Sequence, residues 1–88
     1  MKIKTGYVIR HVMDTYLILA VGGENYVPNQ IMSLNEAGAL LWKILETGAE
    51  ECELREALIK EYGIDETTAD IDVDAFIAQL KEKALIVE

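Results

Sequence analysis

Residues 27–45 read VPNQIMSLNEAGALLWKIL. A Pro-Asn turn gives way to four strand-like residues, Gln30, Ile31, Met32 and Ser33, and these run straight into a helix start. Ser33-Leu34-Asn35-Glu36 matches the S-x-x-E capping box, in which the Ser33 hydroxyl caps an exposed amide and Glu36 reaches back. Behind it Leu34, Ala37, Leu41, Ile44 and Leu45 repeat at helical spacing. Leu40 and Trp42 broaden the apolar face, and Gly48 is a suitable stop. A strand this short, set against a helix with no linker, belongs at the edge of a sheet. An edge strand is either protected or used.

On the N-terminal side, residues 7–13 are β-rich, with Arg10 and Asp14 as polar breaks and Asp14-Thr15 as a tight turn. Residues 16–21 form a second apolar run, short enough for a strand and ended by Gly22-Gly23. Residues 22–29 read as a loop, long for so compact a meander, and Pro28 removes a donor beside the proposed edge. Strand addition there would have to use residues after Pro28.

On the C-terminal side a second helix covers residues 51–62, with Leu54, Ala57, Leu58 and Tyr62 inward and Gly63 ending it. Asp65 caps a third helix over 66–83, whose core stripe is Ala69, Val73, Phe76, Leu80 and Ala84. Lys81 and Lys83 sit at its C-terminal end, where the helix dipole favours cations. Residues 85–87 form a short apolar tail that folds back onto the core. The pattern predicts an α+β fold over a single domain, residues 1–88: a three-stranded antiparallel sheet followed by three helices, winged helix-turn-helix-like.

Composition narrows the function. The chain has 88 residues, 51% of them apolar and 27% charged, a globular rather than a disordered balance. A domain this small leaves little core for a deep substrate cavity. No apolar run approaches the ~20 residues of a membrane span, and the start MKIKTGYVIRH lacks the apolar core of a signal peptide. Cys52 is the single cysteine, so no internal disulfide can form, and a cytoplasmic location is expected. The net charge of −8 is uneven: residues 34–88 carry fourteen acids against five bases. A winged helix first suggests DNA, but the third helix sets Glu66, Asp70, Asp72, Asp74 and Glu82 against only Lys81 and Lys83. Phosphate contacts need bases, so nucleic acid is not expected as a partner.

Chemistry of its own is not expected either. His11 is the single histidine and lies on a strand pattern. With one cysteine it cannot supply the usual zinc ligand count. Asp70, Asp72 and Asp74 have calcium-loop spacing but lie within a helical pattern, with no glycine following in position. Gly22-Gly23 lacks the Lys-Ser/Thr and helix start of a phosphate loop, and no nucleophile has a plausible base. No cofactor and no metal are predicted, and a binding module is favoured over an enzyme.

Three segments, LNEAGALLWKIL, ELREALIKEYGID and ADIDVDAFIAQLKEKALI, together with the N-terminal pair GYVIRHV and TYLILAV, resemble the family of PqqD, the pyrroloquinoline quinone synthesis protein D. Leu34-Asn35-Glu36 followed by Ala39, Leu41 and Trp42 is the most specific part, supported by the spacing of Asp72-Val73, Phe76 and Leu80. The resemblance implies a recognition element for ribosomally made, post-translationally modified peptides. Such a protein binds the leader of a precursor peptide and hands it to a maturation enzyme, often a radical S-adenosylmethionine (SAM) enzyme. It further implies strand addition at the third strand, with the last helix as the other wall of a cleft.

Carried onto this chain, the edge is Gln30, Ile31, Met32 and Ser33. On the third helix, Asp70, Asp74, Ile77 and Lys81 share one flank of the core stripe, while Asp72, Gln79 and Lys83 share the other. The first flank is the expected wall, because Ile77 would give an apolar floor beside two carboxylates. Ile71 projects away from the stripe, where a partner enzyme or a second copy in a homodimer could meet it. A reading of a different class is an acidic winged-helix adaptor or regulator that binds a folded protein and no leader peptide.

Overall fold

The computed structural model describes residues 1–20 and 29–87, and residues 29–31 in their backbone alone. The readings of a loop after Gly22 and a turn at Pro28 fall outside these residues. In chain order the elements are β1 (Lys2–Ile3), β2 (Tyr7–Val12), β3 (Thr15–Ala20), β4 (Asn29–Leu34), α1 (Glu36–Glu46), α2 (Glu51–Tyr62), α3 (Glu66–Glu82) and β5 (Ile86–Val87). The expected α+β architecture is present, with the antiparallel sheet β2-β3-β4 preceding three helices.

The sheet is a meander. Strands β2 and β3 pair without interruption from Tyr7↔Ala20 to Val12↔Thr15, across a two-residue turn in which Met13 takes a left-handed backbone with φ 55°. One face of the ladder, with Tyr7, Ile9, Tyr16, Ile18, Met32 and Leu34, packs against the helices. Strand β4 pairs with β3 through Tyr16↔Leu34, Leu17↔Ser33 and Ile18↔Met32. The register then shifts, so that Leu19 faces Gln30 and Ile31 is the extra residue of a bulge.

Strand β4 spans six residues rather than the four expected, and the capping box is displaced. Leu34 is 6% exposed and still paired with Tyr16, so core burial and the ladder carry the strand past Ser33. The cap falls to Asn35, whose Oδ1 accepts from the Gly38 N–H at 2.8 Å. Asparagine serves this position as well as serine does.

A second, unpredicted ribbon joins the two ends of the described chain: Lys2 pairs with Val87 and Ile3 with Ile86. The apolar tail does fold back, and Leu85 and Ile3 are buried in the core. That core holds Trp42, Leu41 and Leu45 of α1, Leu54 and Leu58 of α2, and Val73 and Leu80 of α3, all at most 2% exposed. Two residues expected inside lie outside. Tyr62 at the end of α2 is 40% exposed, and Ala84 sits beyond α3 at a left-handed φ of 55°, where the helix has already ended.

Candidate functional site

Strand β4 has β3 on one side and no strand on its other side among the described residues. Across that free edge stands α3. Between them lies a cavity of about 420 Å³, lined by Ser33, Leu34 and Asn35 of the strand end, by Ala37, Gly38 and Leu41 of α1, by Leu58 of α2, and by Asp72, Ala75, Phe76 and Gln79 of α3.

Local sequence starts each helix of the walls, and packing between helices sets the rotation of α3. The Asn35 cap turns the chain from strand to helix within one residue, so that α1 begins at the cavity floor. Gly38 permits the close approach this needs: a Cβ there would lie 3.2 Å from the Leu34 Cβ and Cδ2. Helix α3 is started by Asp65, whose Oδ1 accepts from the Thr68 N–H at 2.8 Å. Its rotation is set by the buried stripe Ala69, Val73, Phe76, Ile77 and Leu80 and by Arg55 of α2, whose Nε lies 3.0 Å from Asp70 Oδ1.

Seen from this geometry, the residues expected at the site divide. Ser33 is exposed and lines the cavity. Gln30 and Ile31 contribute edge backbone, Gln30 as a ladder residue and Ile31 as the bulge. Met32 is 7% exposed and belongs to the core.

The chosen flank of α3 does not border the cavity. Ile77 is buried in the core and does not line the cavity, and Asp70 is held against α2. Asp74 and Lys81 are exposed, and neither is among the lining residues. The wall is the opposite flank, Asp72 and Gln79 with Ala75 and Phe76 between them. Both flanks were visible as helical periodicities, but the sequence carries no signal for which one meets β4, because that depends on how α3 is rotated against α2.

The lining is apolar at its base, where Leu34, Leu41, Leu58 and Phe76 are buried, and polar at its rim. Asn35 Oδ1 is already engaged by Gly38. Asp72 is the one charged side chain in the lining, and among the described residues no cation pairs with it, since Arg55 is shared by Glu51 at 3.6 Å and Asp70. Among the described residues no three His, Cys, Asp or Glu side chains gather as a metal site would require.

A larger hollow of about 900 Å³ opens at the β1–β5 ribbon, beside Lys2, Lys4, Glu50 and Glu53. It is the shallower of the two and borders no edge of the three-stranded sheet. We therefore place the candidate site at β4.

Comparison with known proteins follows the same lines. The family model for coenzyme PQQ synthesis protein D (PqqD) matches residues 15–86. The solved structure of TbiB1 in complex with the TbiA(beta) leader peptide superposes with a TM-score of 0.72 at 29% identity, covering 97% of this chain and 93% of that one. Lasso peptide synthetase B1 complexed with the leader peptide superposes with a TM-score of 0.69. Its identity is 21%, over 99% of this chain and 96% of that one, a likeness of fold. No curated protein matches the chain in sequence.

Proposed function

The chain belongs to the family of coenzyme PQQ synthesis protein D, and on that premise we propose that it is a peptide-binding adaptor. It takes up the leader of a ribosomally made precursor as a further strand along β4 and presents it to a modifying enzyme. The observation that carries this reading is the free β4 edge facing the α3 cavity.

The register gives the proposal atomic content. In a two-residue hairpin the flanking pair, here Val12↔Thr15, exchanges backbone hydrogen bonds. Alternation along β3 then turns Tyr16 and Ile18 toward β4, so their partners Leu34 and Met32 turn inward. Ser33, opposite Leu17, turns its N–H and C=O to the open edge. The Thr15 hydroxyl donating to the Leu34 carbonyl at 3.4 Å agrees with this assignment. An added strand would exchange hydrogen bonds with Ser33, while its neighbouring residues point into the cavity.

In this reading the chain performs no chemistry itself and needs no cofactor. The modification belongs to its partner, a radical SAM enzyme or another maturation enzyme, in the cytoplasm. The test is an amide-shift titration of the ¹⁵N-labelled protein with leader peptides encoded beside its gene. Saturable shifts in residues 32–35 and 72–79 are expected. Shifts confined to the β1–β5 end, or none with any such leader, would overturn the proposal.

A further inference from the structure

We infer that Asp72 selects the leader by charge: the segment bound along β4 carries an apolar residue and, two positions away, a lysine or arginine that meets the Asp72 carboxylate. This rests on the strand-addition reading above and goes beyond it to the class of peptide.

Two observations carry it. The first is the make-up of the cavity, which has a buried apolar base and a single charged lining residue, with no basic group to balance it. Arg55 of α2 is held by Asp70 and Glu51. The overall charge reinforces the sign, since the chain carries −8. A cation entering the cleft is therefore attracted, and a carboxylate is repelled.

The second observation is geometric. With Ser33 as the outward-bonding residue, the two leader residues either side of its partner share the inner face. Same-face residues on a strand stand about 6.7 Å apart. Phe76 and Asp72 are separated by one turn of α3, about 6 Å. One inward side chain can therefore rest on the apolar base at Phe76 while the next reaches Asp72. Exposed ion pairs are weak, so neutralising Asp72 should cost roughly three- to fivefold in affinity and reversing it about tenfold. That is enough to rank competing leaders.

The test pans a displayed random dodecapeptide library against the full chain and its Asp72→Lys, Asp72→Asn and Ser33→Pro variants. The wild-type protein is expected to enrich peptides with an apolar residue and a Lys or Arg two positions from it. Asp72→Lys should enrich Asp or Glu at that second place, and Asp72→Asn should lose the preference while keeping the apolar one. The enriched peptides should fail to bind Ser33→Pro. If wild type and Asp72→Lys select the same motif with no exchange of charge, and Ser33→Pro still abolishes binding, Asp72 is not read and the edge alone survives. If the wild-type chain enriches nothing, or its peptides bind Ser33→Pro equally well, both the inference and the strand-addition reading fall.

Discussion

Arg55 Nε lies 3.0 Å from Asp70 Oδ1, a contact that joins α2 to α3 on the side away from β4. Two residues further along, about 200° around the helix, Asp72 comes to the opposite side and lines the cavity. The contact helps orient α3 without adding much stability, since both side chains are partly exposed, at 32% and 55%. Asp70→Ala is expected to cost less than about 1 kcal/mol in urea unfolding. It should leave peptide affinity within about twofold, a change set by titrating both proteins with one leader and equivalent to a few tenths of a kcal/mol.

Ser33→Pro is expected to lower leader affinity more than tenfold, because it removes the outward donor and its ring obstructs an approaching strand. Ser33→Ala keeps the backbone donor and should bind nearly as well as the parent. Met32→Pro behaves differently: Met32 is 7% exposed and its N–H faces Ile18, so the loss appears first in stability. Calorimetric titration alongside circular dichroism separates the two. If folded Ser33→Pro binds with parental affinity, the outward assignment of Ser33 is wrong.

Ile77→Ala is expected to destabilise the fold by about 2–5 kcal/mol, as truncation of a buried aliphatic side chain does. The molecules that remain folded should bind peptide normally. A stability change below about 0.5 kcal/mol with weakened binding would return Ile77 to the cleft.

Asn35→Ala should cost about 1 kcal/mol, since it leaves the Gly38 N–H at the start of α1 without its acceptor. The midpoint of denaturant unfolding should fall while the m-value holds. Asn35→Asp or Asn35→Ser should restore most of the loss.

The cap of α3 predicts a pH dependence. Hydrogen bonds from the Thr68 side chain and backbone hold the Asp65 carboxyl below its ordinary value. A depressed carboxylate pKa contributes stability above the unfolded-state pKa, and that contribution is lost as pH falls through the folded value. Asp65→Asn removes the titrating group but keeps an acceptor. The stability gap between wild type and Asp65→Asn should therefore be present at neutral pH and narrow on acidification below the usual carboxylate range. A gap that widens in acid would contradict the sign.

The helices were legible in the residues because each signal is local. Spacing of Leu54 and Leu58, or of Ala69, Val73, Phe76 and Leu80, reports a buried face whatever packs against it. Asp65 and Gly63 mark the ends of their helices through their own side chain and backbone. The meander was legible for the same reason, apart from its details. Ser33 and Asn35 are both competent caps, and only the burial of Leu34 against the core decided between them. The bulge at Ile31 and the ribbon between Lys2–Ile3 and Ile86–Val87 are pairings across the chain, without a local signature. Above all, periodicity gives α3 two polar flanks and no means to rank them. The rotation that brings Asp72 and Gln79 to β4, and leaves Asp70 on α2 and Ile77 inside, comes from packing three helices on one sheet. Adjacent residues along the chain could not encode it, because the contacts that determine it lie between residues far apart in sequence.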